Sequence, residues 1–360
     1  MTKSIYIILP LLAGLAACNG TSTPNKSAQG SDTTIVAALK PQIVTDTVQH
    51  DTDDPAIWIN PSDPAKSLII GTDKDSDGAL FVFNLQGKIV NKVPGLKRPN
   101  NVDIAYGFRL NGKPVDIAVV TERETNKLRI YSLPDMKAVD NGGIPVFEGE
   151  TERDPMGIAL YTTPNHIIYA IAGRKTGPTG SYLWQYQLRD NGKGAIAATV
   201  VRKFGSYSGK KEIESIAADN ELGYIYYSDE QHGVHKYYAD PAQGDKELAL
   251  FGAEGFVGDH EGISIYKTGT DTGYILVSNQ QKNTFMVYPR EGSVKNHDEH
   301  QLLAEIPVST LESDGSEVTA VNLSPEFPKG VFVAMSNGKV FHYYDWRELQ
   351  ARIDGAIKNK

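Results

Sequence analysis

Six copies of one strand pattern run along this chain, and they restrict its fold more than any other feature. Each copy opens with a polar or acidic residue and a short apolar strand. It then turns into a second, very apolar strand, and after a polar tip a third strand ends in aromatics. The first-strand anchors are Ile57, Ile104, Ile158, Ile216, Ile263 and Ala320, at intervals of 47, 54, 58, 47 and 57 residues. Third-strand counterparts are Leu80–Phe83, Leu128–Tyr131, Leu183–Tyr186, Val234–Tyr238, Phe285–Tyr288 and Val340–Tyr344. A period of roughly 40–50 residues or slightly more is the length of a four-stranded blade. Six such units predict an all-β fold, a six-bladed β-propeller. A two-sheet sandwich would use similar strands but gives no reason for a sixfold repeat. Only the stretch from Trp346 to Arg352 reads as helical.

The repeat also says where polar groups converge. The first two strands of a blade are antiparallel, so the start of the first and the end of the second share one rim. First-strand starts carry Asp53 and Asp54, Asp103, Asp154, Glu214, Glu261, and Asp314 with Glu317. Second-strand ends carry Lys74, Arg123, Arg174 with Lys175, Asp229 with Glu230, Gln280 with Gln281, and Asn337. One face should therefore present a ring of carboxylates beside cations and amides.

Hard oxygen donors without cysteine, and with no close histidine pair evident in the sequence, point to calcium. Lys74, Arg123 and Lys175 would hold phosphate oxygens beside the metal, Arg123 through a bidentate fork. Metal and cations together are the equipment for phosphoryl transfer to water. The chain has no Gly-x-Ser-x-Gly elbow, Walker loop or dinucleotide fingerprint. His260 beside Glu261 reads as a hydrogen-bonding residue rather than a ligand. With a net charge of −8 and no basic block, nucleic acid is not an expected partner.

The first 18 residues are set aside from the fold. Lys3, the apolar run Ile5–Leu12 and Leu15-Ala16-Ala17-Cys18 read as a lipoprotein signal, too short to span a membrane. Cys18, the chain's single cysteine, is the expected lipid attachment point, so no disulfide within the chain can form. Residues 19–40 read as a flexible tether and 41–360 as the propeller domain with its short C-terminal helix. The expected location is the bacterial cell envelope, anchored by lipid alone at the outer membrane and facing the periplasm or the exterior.

Two segments carry a family resemblance. Asp51-Thr52-Asp53-Asp54-Pro55-Ala56-Ile57-Trp58 and Asn100-Asn101-Val102-Asp103-Ile104-Ala105-Tyr106 resemble the signature motifs of the β-propeller phytases. Leu110–Ala118, Ala217-Ala218-Asp219, Glu261-Gly262 and Pro325-Glu326-Phe327-Pro328 extend the likeness over about residues 45–350. The resemblance implies a calcium-dependent, 3-phytase-like phosphomonoester hydrolase, acting as a monomer on calcium complexes of phytate or related inositol phosphates. It implies calcium ligands at Asp53, Asp54, Asp103, Glu214, Asp229, Glu261 and Asp314. Phosphate contacts are implied at Lys74, Arg123 and Lys175, with Arg174 the alternative to Lys175. On this reading Glu214 and Glu261 hold metal and orient the attacking water, while Lys74 and Arg123 hold the reacting phosphate. The chain departs from the family where Met156 replaces a phosphate-touching tyrosine and Thr176 an acid, in uncharged Val308–Leu311, and in a loop shortened to Ser336-Asn337-Gly338. Two alternatives stand beside the phytase reading: a propeller metal hydrolase for another substrate, and a non-catalytic calcium-binding envelope propeller.

Overall fold

The computed structural model describes residues 37–360, so the signal, Cys18 and most of the tether expectation lie outside the described residues. Six antiparallel sheets follow one another along the chain. Their inner strands are Thr52–Trp58, Pro99–Leu110, Pro155–Thr162, Ile216–Asp219, His260–Lys267 and Ser316–Val318. The axial cavity is lined by residues of all six inner strands, which makes the molecule a six-bladed β-propeller. The expected third-strand segments all fall within third strands. The sixth inner strand ends at Val318, two residues before the predicted anchor Ala320.

The second strands explain the cohesion. Each is apolar on both faces, and its alternate residues enter different cores, as the two-residue period of a strand requires. Ile225 and Tyr227 pack toward blade 3, while Tyr226 between them packs toward blade 5. Ile69 and Ile70 divide in the same way between blade 6 and blade 2. Six apolar clusters result, one in each gap between consecutive blades. A strand buried on both sides reads as a continuous apolar run, and that is the pattern in the sequence.

The ring closes with chain from its two ends. Blade 6 takes Ile43–Val44 as its outer strand against Val340–Asp345. Around this pairing the N–H groups of Gln42, Thr45 and Val48 donate to the carbonyls of Tyr343, Phe341 and Lys339 at 2.7–3.0 Å. Thr45 Oγ1 also accepts from Phe341 N at 2.9 Å. Ordered packing starts earlier than the expected tether boundary, because buried Leu39 bridges to Val308. The helix runs Trp346–Lys358, longer than the sequence indicates, capped by Asp345, whose side chain accepts from Arg347 N at 3.0 Å. It buries Trp346, Leu349 and Ile353, and the Trp346 ring stacks on Tyr266 with centroids 3.5 Å apart.

Removing residues 1–48 deletes the closing strand, the four hydrogen bonds just described at about 1 kcal/mol each, further hydrogen bonds through Leu39 and Asp46, and buried Leu39 and Val48. The shortened chain is expected to melt well below the parent by calorimetry. An equal melting temperature would show that blade 6 needs no outer strand.

Candidate active site

The site is built by one repeated irregularity. In blades 1, 2, 3 and 5 the inner strand carries one extra residue near its start, between Thr52 and Pro55, Pro99 and Val102, Pro155 and Ile158, and His260 and Ile263. Blade 4 repeats it: Glu230 N donates to Glu212 O and Ser228 N to Ser215 O, three residues against two. Such a bulge bends the strand and re-aims its side chains. By this register the same position in blades 1 to 6 is Asp53, Asn100, Met156, Glu214, Glu261 and Asp314. These six residues form an inner ring. Two of the bulges also need glycine for close approach. A Cβ at Gly157 would lie 2.1 Å from Glu214 O, and one at Gly262 would lie 2.8 Å from Ser316 N. Hydroxyls of the second strands tie blade 2 to blade 3 and blade 4 to blade 5: Thr121 donates to Met156 O at 2.5 Å and Ser228 to Glu261 O at 2.9 Å.

The same register resolves the paired candidates at the second-strand ends. Arg174 and Asp229 are the last residues of their strands and point into the gaps between blades, where both are buried. The next positions, Lys74, Arg123, Lys175, Glu230, Gln280 and Asn337, turn to the face. Arg174 is therefore not brought to the site. Its guanidinium lies over Phe147 and donates to Glu150, Glu152 O and Ser181 O at 3.0–3.1 Å. Asp229 is not brought to the ring either: Ser208 N and Oγ donate to it at 2.6 and 2.7 Å. Asp54 and Asp103 follow the ring in sequence but descend into the axial cavity with Glu317. They form a second acidic set below the face. Burial, then Asp103, pushes Glu317 up to about 8, and burial pushes Asp54 well above the ordinary carboxylate range. His260 Nε2 donates to Gly252 O, 2.7 Å away, and the ring stacks on Phe256, a packing role.

Cations gather on blades 1 to 3, as Lys74, Arg123 and Lys175, while the ring carboxylates come from blades 1, 4, 5 and 6. The Lys74 ammonium contacts Asp53 Oδ1 and lies 3.4 Å from Asp314 Oδ2. Burial alone would lower its pKa, but Asp53, Glu214 and Asp314 together raise it. Gln280 donates to Asp314 Oδ1. Arg123 Nη2 contacts Asn100 Oδ1 and Met156 Sδ, and Asn100 Nδ2 donates in turn to Glu214 Oε1. Lys175 lies 3.2 Å from Glu212 at a half-exposed rim, where an ion pair is weakly held. Sequence reading did not select Glu212, Asp259 or Lys211. Lys211 lies 2.7 Å from Glu230 Oε2 and 2.6 Å from Asp259 Oδ2. Glu230 was visible only as one of a pair, and the strand period is the signal that separates it from Asp229.

The carboxylates outnumber their partners. Among the described residues Asp53 Oδ2, Glu230 Oε1 and Glu261 Oε2 are buried without a hydrogen bond, and Glu230 Oε2 has only the Lys211 ammonium. Burial, followed by Glu230, Glu214 and Asp314, pushes Glu261 well above the usual range. Burial also lifts Asp53 well above it, Asp314 to about 6 and Glu230 to about 8. Donor atoms of Glu212, Glu214 and Glu230, and of Glu230, Asp259 and Glu261, lie within 4.8 Å of one another. Short of positive partners, all-oxygen and mutually repelling, this donor set fits a hard divalent cation.

The family model described as Phytase matches residues 5–342. The 3-phytase of Bacillus subtilis (strain 168) is 31% identical over 320 residues, covering 84% of this chain and 81% of that protein. Among solved structures, the Dos1 propeller aligns at 10% identity over 82% of this chain and 67% of that one, with a TM-score of 0.43. A chain of the mitotic checkpoint complex aligns at 9% identity over 94% and 98%, with a TM-score of 0.49. The family match over nearly the whole sequence, and the bacterial relative alongside it, establish that the chain belongs to the phytase family.

Proposed function

We propose that the chain releases phosphate from phytate and related inositol phosphates at this face, with calcium as its cation. The observation that carries the reading is that buried carboxylates of blades 1, 4, 5 and 6, with oxygens left unpaired, face Lys74, Arg123 and Lys175 of blades 1 to 3 across one site. Asp53, Glu214, Glu230, Glu261 and Asp314 are the residues that would hold the cations, and oxygen donors of this kind suit calcium. When bound, such cations acidify water and neutralise charge on the phosphoryl oxygens.

The side chains supply the rest. Among the described residues Arg123 engages side chains only through Nη2, and its Nε is buried, so Nη1 is the donor left for a phosphate oxygen. Asn100 links that fork to Glu214, fixing both groups with one amide. Lys74 sits between Asp53 and Asp314, placed to offset charge that develops on the phosphoryl group as water attacks and the inositol oxygen departs. Lys175, at the rim, suits a second phosphate of the same substrate. Met156 gives this ring an apolar, sulfur-bearing member in place of a hydroxyl.

Phosphate release from calcium phytate tests the reading. Lys74→Ala, Arg123→Lys, Glu230→Gln and Glu261→Gln should each lose roughly a hundred- to a thousand-fold in rate, because the first two weaken groups aimed at transition-state charge and the last two weaken the hold on the cation that also offsets it. Lys175→Ala should act mainly on KM. Arg174→Met should show its cost in melting temperature, at about 1 kcal/mol for each of the three hydrogen bonds its guanidinium gives up. Lys193→Ala, in an exposed turn after a third strand and so at the opposite end, should change neither. Near-parental rates in the first four would place the chemistry elsewhere. A parent inactive on phytate would favour a binding propeller.

The same reading keeps Cys18 as the lipid attachment point at the cell envelope, supported by Leu15-Ala16-Ala17-Cys18. Cys18→Ala should leave the membrane fraction while its propeller still folds. Continued membrane partitioning of a cleaved variant would overturn this.

A further inference from the structure

Beside the acidic ring lies a donor cluster of different chemistry. Asp229 ends the second strand of blade 4 and pairs with Gly233, the first residue of the third. His232 N donates to Asp229 O at 3.0 Å across this tight reversal, with Gln231 at φ 59°. The turn brings His232 back against His235, with ring centroids 5.7 Å apart. A close histidine pair therefore exists, contrary to the sequence reading, which had no register to place it. Ligand atoms of Asp229, His232 and His235 all lie within 4.8 Å of one another.

The surroundings are built to hold these groups still. His235 stacks on Tyr227 at 4.7 Å and 16°. Its Nδ1 lies 2.8 Å from Glu247 Oε2, which also accepts from Tyr237 OH at 3.0 Å. That contact leaves Nε2 facing Asp229 Oδ2, 3.3 Å away. A carboxylate on one imidazole nitrogen fixes the tautomer in which the other nitrogen is a ligand. Ser208 orients Asp229 through two donors. The half-buried His232 ring makes no hydrogen bond among the described residues, so it is free to turn the small distance needed to meet a metal bond length of about 2.1 Å.

We propose that Asp229, His232 and His235 form a second metal site, for a borderline divalent ion of the zinc, cobalt, nickel or copper class. Two imidazoles and one carboxylate suit such ions and not calcium, whereas the neighbouring ring is all oxygen. Asp229 and Glu230 are consecutive on the strand and point to opposite sides, so the two sites stand back to back. A metal held by Asp229, His232 and His235 would brace the strand end from which Glu230 projects. The competing arrangement is an imidazolium of His235 bridging Asp229 and Glu247, with no metal.

Cobalt(II) serves as the probe, added to the mature chain in excess calcium so that the oxygen ring is occupied. The site predicts one equivalent bound with visible d–d absorption, displaced by zinc. His232→Ala, in a turn outside the core, should lose the band while melting as the parent does without cobalt. Glu247→Gln should weaken cobalt binding about ten- to a hundredfold. No band up to millimolar cobalt, or a band unchanged in His232→Ala, overturns the proposal and leaves the bridging imidazolium.

Discussion

Buried carboxylates that face one another without enough positive charge are the constraint on which this molecule turns. Asp53, Glu214, Glu261 and Asp314 come from four blades and converge on one axis, with Glu230 from the end of a second strand. Lys74 and Lys211 answer part of that charge. Oxygens of Asp53, Glu230 and Glu261 still lack partners. Groups held this way cost stability unless protons or metal ions neutralise them. The six apolar clusters between blades supply the stability against which that cost is set.

One extra residue per inner strand makes the convergence possible. Without the bulge, the strand period would send Asp53 or Glu261 into a gap between blades, where Asp73 and Asn279 already lie buried. With it, the ring residue faces the axis and the next residue drops into the cavity, as Asp54 does. Blade 6 departs from the scheme. Asn337 N donates to Leu311 O, so one further residue separates its ring member Asp314 from the start of the pairing.

Much of this was legible in the sequence. The sixfold repeat, the face that collects the polar ends, and the ring members Asp53, Glu214, Glu261 and Asp314 follow from strand order and the antiparallel rule. The motifs around Asp53 and Asn100 carried the family. What was not legible depended on register. Composition offers Arg174 and Lys175, or Asp229 and Glu230, as equal neighbours; only the two-residue period, counted from a hydrogen-bonded pair, sends one inward and the other to the face. Asp54 and Asp103 were assigned to the ring because a bulge cannot be counted without its partner strand. Likewise, His232 and His235 are three residues apart in sequence, and a tight reversal brings them together.

The account's central claim is that a divalent cation neutralises the ring, and linkage to pH tests it most directly. Carboxylates raised above their unfolded values bind protons more tightly in the folded state. In chelator, the stability they contribute is full below about pH 4 and is lost as pH rises through about 6 for Asp314 and about 8 for Glu230. On the proposed reading calcium would replace those protons, so its stabilisation should be small at pH 5 and large at pH 8. Buried neutral His300, held down at about 4, titrates alike in both forms and drops out of the difference. The measurement is the melting temperature with calcium minus that with chelator, taken from pH 5 to 8. A difference that grows across this range is the predicted result, and no difference at pH 8 would contradict the account.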